Sequence, residues 1–488
     1  MEQGTATTRK GILQMNAINN ILTNINDVMY TYVLIILLVA AGLYFTIRTK
    51  GVQFRLLGDG LKSMLDKADN KDGEKKVSSF QALMISTASR VGTGNIAGIA
   101  TAIATGGPGA VFWMWLMAII GGASAFIEST LAQVYKVKQP DGQYRGGPSY
   151  YMERALGKRW MGILFSILLI ICFAYGFNGL QAFNMSSTLE YYIDDYANTP
   201  YPMLVGIVLA AATAFVIWGG AHRIGFISSV MVPVMAVLYI GIGLVTMVMN
   251  FDQLPAVFKL IFESAFDFKA MAGGFAGSAI VIGIKRGLFS NEAGMGSAPN
   301  ASASADVDHP VKQGLVQVIS VFIDTILICS STAMMLLLSG VEGKAEVLDG
   351  IPFVQQAISS NVGKWGIHFI TFSIFAFAFS SVIGNYFYAE SNIIFIKDSK
   401  TLLNVFRFTC VLAVFLGAQA DFSLVWNIAD ITMGLMAVVN ITAIFLLGKV
   451  AFKVLKHYEM KKKAGEDPVF YEDEVGLTGT VWTRDRKK

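Results

Sequence analysis

Charged residues are scarce in this sequence. The 38 lysine and arginine residues and the 34 aspartate and glutamate residues make up 15% of the 488 positions, whereas soluble domains contain about 25%. Hydrophobic residues account for 54% of the chain. A soluble protein of this composition would expose apolar patches large enough to cause aggregation. We therefore expect membrane lipid to be the main solvent of the protein.

Residues that carry catalysis or bind metals are also few. The three cysteines, Cys172, Cys329 and Cys410, lie in apolar stretches without CxxC or CxxH spacing, which predicts neither disulfides nor a zinc site. The four histidines are scattered along the chain with no shared face, so neither a metal site nor a catalytic triad is indicated. The net charge of only +4 gives no reason to expect a nucleic-acid partner. The protein is not expected to be an enzyme.

Long apolar runs of about 20 residues, the length that crosses a bilayer as a helix, recur along the chain. They are continuously apolar rather than alternating, which excludes a transmembrane barrel and predicts an all-α polytopic membrane protein. Eleven spans are predicted, near 28–47, 79–105, 110–135, 160–183, 203–219, 224–249, 270–290, 313–339, 365–394, 402–418 and 424–448. Before the first span, Ile18, Ile21, Leu22 and Ile25 predict a short amphipathic helix, or an extension of that span.

Basic residues are concentrated in the loops that follow the first and third spans, which places these loops in the cytoplasm. The connection Gly106 to Gly109 is uncharged and the loop after Phe183 is acidic, so both are expected outside. The N-terminus is then outside and the C-terminal tail inside. Because the tail is polar and rich in lysine, it is predicted to be disordered.

The ten spans after the first divide into two sets of five, and the span that opens each set is interrupted by glycines. This division predicts 1–78 as the amphipathic helix, first span and basic loop, 79–269 and 270–448 as two five-helix repeats, and 449–488 as the tail. Glycines at matching positions of two halves are typical of transporters with broken helices around a midplane site. The alternative is close helix packing through GxxxG pairs, such as Gly94 with Gly98 or Gly273 with Gly277.

A broken helix exposes backbone groups that suit a zwitterion and a cation. The amides of Gly92, Thr93, Gly94 and Asn95 would begin a half-helix whose positive end favours a carboxylate. The carbonyls of Ala88 and Val91 would suit sodium, and Ser380 and Ser381 could complete its shell. The alternative for both serines is a hydrogen bond to their own helix.

Three segments resemble the alanine or glycine:cation symporter family of prokaryotes: Gly106 to Leu116, Ser89 to Gly98, and Ser290 to Pro299. The resemblance covers nearly the whole chain. It implies a LeuT-type amino-acid transporter fold, with an inverted 5+5 repeat behind one N-terminal helix. It also implies sodium-coupled uptake of small neutral amino acids, mainly alanine and glycine, across the inner membrane, with Na⁺ as the coupling ion.

The resemblance also implies a substrate site. It places this site at the Gly92 to Asn95 turn, at Gln181, and at the second break with Gly273, Gly274, Phe275 and Gly277. Ser380 and Ser381 match the helix that binds the cation. Asn385 departs from the family pattern, in which many members carry tryptophan. If Asn385 lines the pocket, it leaves room for glutamine and an amide to bond it; the alternative is that it bonds a neighbouring helix.

Other ionisable residues within the spans allow two interpretations each. Arg90 is expected to pair with an acid in an intracellular gate. Lys285 and Arg286 are expected to extend toward lipid headgroups. A structural role is favoured over a proton-carrying one for Glu128, Asp324, Glu390 and Asp430. The resulting prediction is a sodium-coupled symporter of alanine, glycine or glutamine that works by alternating access; a proton-coupled symporter and a non-transporting amino-acid sensor are the alternatives.

Overall fold

The structure, a computed structural model, describes residues 21–68, 76–140, 142–267, 278–344, 347–348, 350–419 and 422–484. It is built almost entirely of helices. The first part of the chain contains α1 Ile21–Arg48, α2 Val52–Arg55, α3 Leu57–Ser63, α4 Ser79–Arg90, α5 Ala97–Gly106, α6 Ala110–Val134, α7 Pro148–Arg154 and α8 Arg159–Tyr191. A two-stranded antiparallel hairpin, β1 Val137–Lys138 and β2 Tyr144–Arg145, lies between α6 and α7.

The second part of the chain is also helical. It contains α9 Tyr201–Ile217, α10 Gly220–Met249, α11 Leu254–Ala265, α12 Ala279–Asn291, α13 Pro299–Ser304, α14 Pro310–Leu337, α15 Gly350–Val362, α16 Trp365–Ile396, α17 Lys400–Gly417 and α18 Phe422–Lys463. The helices pack as one bundle, in which α12 and α14 both lie along α6. The all-α prediction is confirmed.

Among the described residues, eight helices are long and apolar enough to cross a membrane. They correspond to eight of the eleven predicted spans. The other three predicted spans, 79–105, 203–219 and 270–290, contain shorter helices: α4 followed by α5, then α9, then α12. A helix of 12 residues is only about 18 Å long, so α4 alone cannot cross the hydrocarbon. The total of eleven spans therefore stays a prediction.

The N-terminal part of the described chain is one continuous helix. Ile21, Leu22 and Ile25, which were predicted to form a surface helix or an extension of the first span, belong to α1 and run directly into that span. Ile18 lies outside the described residues.

In the part of the chain that the structure describes, three helices contain a wider π-type turn, at Met29–Leu34 in α1, Ile170–Phe177 in α8 and Phe322–Cys329 in α14. Such turns insert one extra residue into the helical ladder and are frequent at functional sites. The turn in α14 carries Asp324, whose side chain is fully buried.

The prediction of a disordered tail was wrong. Residues 464–484 fold back onto the bundle, and Trp482 is fully buried. Its indole Nε1 donates a hydrogen bond to the Gln133 carbonyl at 2.9 Å, and the Lys136 ammonium lies 4.9 Å from the indole ring centre. Two aromatic side chains, Phe470 and Trp482, supply the apolar burial that the polar composition of the tail concealed. We call this region, where the tail covers the ends of α6 and α18, the basic end.

The sequence suggested that all four histidines are scattered, but the structure brings two of them together. At the basic end His309 Nε2 lies 3.1 Å from His457 Nδ1, and His457 Nε2 lies 2.7 Å from the Glu474 carboxylate. His309 Nδ1 accepts a hydrogen bond from the Val311 amide and so caps α14. Burial, together with the neighbouring His457 and Lys312, holds the pKa of His309 well below its usual value.

Candidate functional site

The first glycine-rich segment forms a break between two helices. Helix α4 ends at Arg90, a single 3₁₀ turn covers Thr93–Asn95, and α5 begins at Ala97. Between them Gly92 adopts an extended conformation with φ −130° and ψ −155°, which interrupts the helical hydrogen-bond ladder. The whole break is buried. Its backbone groups therefore need partners other than water.

Side-chain amides supply partners for the backbone amides of the break. The Gly92 N–H is shared between the Arg90 carbonyl at 2.9 Å and Asn95 Oδ1 at 3.0 Å. The Thr93 N–H donates to Gln181 Oε1 at 3.1 Å. Both side-chain acceptors are neutral, and a carboxylate is a stronger acceptor than a neutral amide oxygen. A carboxylate could therefore replace the neutral acceptors of these two amides.

Oxygen atoms converge on the other side of the break. Ser381 Oγ, from α16, lies 2.9 Å from the Ala88 carbonyl and 3.3 Å from the Val91 carbonyl. These carbonyls end α4, and carbonyls at the end of an unwound half-helix can coordinate a sodium ion. The structure thus brings together three of the four atoms expected for a cation site.

Ser380 is the fourth predicted cation ligand, and the structure places it elsewhere. Its hydroxyl donates to the Phe377 carbonyl of its own helix at 2.8 Å, which is the alternative that the sequence left open. Consecutive residues of a helix point about 100° apart. When Ser381 faces the break, Ser380 therefore faces away from it.

Gly92 lies between the two groups of atoms. A Cβ at this position would overlap Ser381 Oγ and would lie 2.8 Å from Gln181 Nε2. A Cβ on Gly94 would overlap the Phe289 ring of α12. Gly92 therefore permits a close approach of the side chains that flank the break. Gly94 permits a close approach of the Phe289 ring.

Asn385 lies beside the break, fully buried on α16. Its Oδ1 accepts a hydrogen bond from Ser89 Oγ at 2.7 Å, and its Nδ2 donates to Asn178 Oδ1 at 3.0 Å. The side chain thus joins α16 to α4 and α8. Its predicted contact with a polar substrate stays a prediction.

The second predicted break cannot be compared in the same way. Gly273, Gly274, Phe275 and Gly277 lie outside the described residues. The described chain resumes at Ser278, whose hydroxyl caps α12 by accepting from the Val281 amide at 3.4 Å.

Arg90 directly precedes the break and lies near acidic side chains, as the resemblance implied. Its Nε is 4.0 Å from Glu292 Oε2, and its Nη1 donates to Gln317 Oε1 at 3.2 Å. Glu292 also accepts from Ser89 at 3.2 Å and from Ser297 at 2.6 Å. The arginine thus links α4 to α14 and to the segment that follows α12.

Lys285 and Arg286 were predicted to extend toward lipid headgroups, and this was wrong. Lys285 Nζ lies 2.6 Å from Asp430 Oδ2, and Arg286 Nη2 lies 3.2 Å from the same oxygen. Arg286 also stacks 4.3 Å from the Trp426 ring centre. A buried acid on α18 therefore holds both cations in the bundle, where pairing offsets the cost of removing them from water.

Two further buried carboxylates lie near the break, and sequence reasoning gave neither a functional role. Asp324 Oδ1 accepts from Asn95 Nδ2 at 2.6 Å. Glu128, on α6, accepts from the amides of Gly294 and Gly296 at 3.3 and 3.1 Å. A polar residue within a predicted span was the only sequence signal for either.

A cavity of about 650 Å³ opens at the end of the bundle opposite the basic end. Its lining includes Ser187 and Glu190 of α8 and Gln355 of α15. Gln181 lies six residues before Ser187 on α8, which corresponds to about 9 Å along the helix axis. The break is therefore a short distance below the floor of this cavity.

Solved structures define the class of fold. The crystal structure of MhsT in complex with L-phenylalanine aligns with a TM-score of 0.55 and 15% identity, covering 84% of this chain and 94% of the other. The protein therefore has the LeuT-type transporter fold, which confirms the predicted fold class.

The sequence comparison identifies the family. The model of the sodium:alanine symporter family matches residues 15–472, and the chain belongs to this family. The probable sodium/glutamine symporter GlnT of Bacillus subtilis (strain 168) is 48% identical, over 92% of each chain. The amino-acid carrier protein AlsT of the same organism is 47% identical, over 97% of this chain and 100% of its own. The protein is accordingly a polytopic membrane transporter of a family of amino-acid carriers.

Proposed function

We propose that this protein is a sodium-coupled symporter that imports small neutral amino acids, with alanine, glycine and glutamine as substrates. One observation carries the proposal: Ser381 Oγ converges with the Ala88 and Val91 carbonyls next to the amides of Gly92 and Thr93. The first group offers only oxygen atoms to a cation. The second offers N–H donors to a carboxylate.

The closeness of these two groups explains how ion and substrate would be coupled. Charges interact strongly in a medium of low dielectric constant. A sodium ion at the three oxygens would therefore raise the affinity of the neighbouring amides for a carboxylate, and the carboxylate would raise the affinity for sodium by the same factor. The amino group of the substrate would be held by the predicted second break, Gly273 to Gly277.

The charge distribution supports an orientation in the membrane, and the sodium gradient would set the direction of transport. We place the basic end in the cytoplasm of a prokaryotic cell and the cavity beside α15 outside, because basic loops stay on the cytoplasmic side. One sodium ion moving inward through about 100 mV supplies about 2.3 kcal/mol. A tenfold sodium gradient adds about 1.4 kcal/mol. Together they would concentrate a neutral amino acid several hundredfold.

Two features support glutamine as a substrate. Asn385 carries an amide beside the break, where it could pair with the amide of glutamine. A relative that is 48% identical is named a probable sodium/glutamine symporter. Inhibition of alanine uptake by glycine and by glutamine would define the range of substrates.

The test uses the purified protein in sealed vesicles, with uptake of labelled alanine driven by an inward sodium gradient. Ser381→Ala should raise the sodium concentration for half-maximal uptake about tenfold or more. Ser380→Ala is the matched control, because its hydroxyl bonds its own helix, and it should behave like the parent.

Other outcomes would select another function. Uptake that follows a proton gradient and ignores sodium would replace sodium coupling by proton coupling. Binding of alanine without any uptake would indicate a sensor. If Ser380→Ala and Ser381→Ala have equal effects, the cation site has been misplaced.

A further inference from the structure

We propose that a cavity between the end of α1, α2 and α18 binds an anionic phospholipid from the leaflet on the side of the basic end. The ligand class is a lipid whose phosphate gives the headgroup a net negative charge, such as phosphatidylglycerol. The cavity has a volume of about 350 Å³. We call it the α1–α18 cavity. The proposal goes beyond transport, because neither the amino acid nor the coupling ion takes part in it.

The α1–α18 cavity lies where two helices leave the apolar layer side by side. Helix α1 ends at Arg48, and the apolar part of α18 ends at Gly448, just before the first of its lysines. These two points are level, since a Cβ on Gly448 would lie 3.2 Å from Phe45 Cε1. One turn further along both helices, the Arg48 guanidinium carbon lies 5.2 Å from the Phe452 ring centre. The cavity therefore begins at the depth of the lipid headgroups.

Basic side chains dominate the lining of the cavity. A single acid, Glu459, borders it together with five basic residues: Arg48, Lys50, Arg55, Lys456 and Lys463. Arg55 Nη2 lies 2.6 Å from Glu459 Oε1, so these two charges balance each other. The other four basic side chains form no ion pair with any acid that the structure describes. Four such cations beside a membrane span attract the phosphate of an anionic lipid.

The apolar surroundings favour a lipid over a free phosphate ion. Phe452, Leu455 and Met460 also line the cavity. On its membrane side, the Tyr44 ring centre lies 5.4 Å from that of Phe445 and 6.3 Å from that of Phe452. Tyr44 is exposed and both phenylalanines are half-buried, so this aromatic strip leads from the cavity along α1 and α18. A headgroup in the cavity would place its acyl chains on the strip, where apolar contact adds to the affinity.

The first test measures melting temperature in detergent as phosphatidylglycerol is added. The parent should gain several degrees, because a lipid held by α1 and α18 stabilises only the folded bundle. Phosphatidylcholine with the same chains should raise it less, since its headgroup has no net charge. Glycerol phosphate, which has the phosphate without acyl chains, should have no effect at the same concentration.

Two double variants separate a built site from the general excess of basic residues on this side of the membrane. Arg48→Gln with Lys456→Gln should raise the half-saturating concentration of phosphatidylglycerol about tenfold or more. Lys158→Gln with Lys397→Gln is the matched control. It removes two exposed positive charges near the start of α8, and neither residue lines the cavity. The control should behave like the parent.

A second measurement needs no variant and stays decisive if Arg48→Gln with Lys456→Gln does not fold. Parent protein is irradiated with phosphatidylglycerol that carries a photoreactive group near the ester end of one acyl chain. The labels should be concentrated on the peptides that contain Tyr44 and Phe445. Excess unlabelled phosphatidylglycerol should remove them, whereas excess phosphatidylcholine should leave them.

Three results would overturn the proposal. Equal stabilisation by phosphatidylglycerol and phosphatidylcholine, or labels spread evenly over the exposed apolar surface, would mean that the cavity does not select an anionic lipid. Equal loss of affinity in the two double variants would mean that charge on this side acts without a defined site. An effect of glycerol phosphate as large as that of phosphatidylglycerol would replace the lipid by a free phosphate.

Discussion

Glu128 and Asp324 are two carboxylates in the same buried region, and their partners are of different kinds. Glu128 accepts from the backbone amides of Gly294 and Gly296 and from Asn440 Nδ2 at 2.8 Å. Both glycines have positive φ, +82° and +86°, a conformation that turns successive N–H groups toward one anion. The partners of Asp324 are hydroxyls and an amide on side chains.

The type of partner, rather than burial, distinguishes these two carboxylates. A backbone amide can only donate, and its direction is fixed by the fold. Glu128 is therefore a fixed clamp that joins α6, the segment after α12, and α18. The partners of Asp324 are side chains that can rotate, so the directions of its hydrogen bonds are not fixed by the backbone.

The largest effect is expected at Gly92 in the break, where we propose that the substrate binds. Gly92→Ala should reduce alanine binding by about 100-fold or more, since its Cβ would overlap Ser381 Oγ, and a factor of 100 corresponds to about 2.7 kcal/mol. Gly98→Ala is the matched control, because its Cβ would meet only Trp426, at an ordinary 3.8 Å. Equilibrium binding of labelled alanine measures both, and equal affinity in the two variants would remove Gly92 from the site.

A smaller effect, on stability, is expected at the fixed clamp. In Glu128→Gln an NH₂ group replaces one acceptor and faces a backbone N–H, and a buried donor without a partner costs about 1 to 3 kcal/mol. The melting temperature of the detergent-solubilised protein should fall by a few degrees. The ratio of cations to alanine should remain that of the parent. A changed ratio would break the comparison, because Glu128 would then take part in coupling.

The smallest effect is expected at His309, a titratable group held by a backbone donor. Its depressed pKa means that the unfolded chain binds more protons than the folded one below the ordinary histidine pKa of about 6.5. The stabilisation is therefore complete above that pH and is lost as the pH falls. The melting temperature of the parent should decline between pH 7 and pH 5. His309→Asn, which retains an N-cap, should flatten this decline, whereas His368→Asn, at an exposed position, should preserve it.

The sequence predicted the parts of the site that depend on backbone breaks. Gly92 and Gly94 marked the first break, and the carbonyls of Ala88 and Val91 followed from the end of the half-helix. The choice between Ser380 and Ser381 could not be made in the same way, because it depends on the rotation of α16 about its axis. That rotation is set by packing along the whole helix.

Long-range pairing explains the other failures. Lys285 and Arg286 were assigned to the lipid surface because Asp430 is more than 140 residues away in the chain, and only the fold brings it near. The tail was judged by composition, which averages over many polar residues and hides two aromatic side chains. In each case the missing information was a contact between distant segments.

The hydrogen bond between Trp482 and Gln133 joins residues that are 349 positions apart. At a synthesis rate of about 5 to 20 residues per second, roughly 20 to 70 seconds separate the appearance of the two. During this interval the end of α6 lacks the indole that later covers it. The basic end is thus completed late, after most of the bundle has been synthesised, and a chain that stops before Trp482 leaves it open.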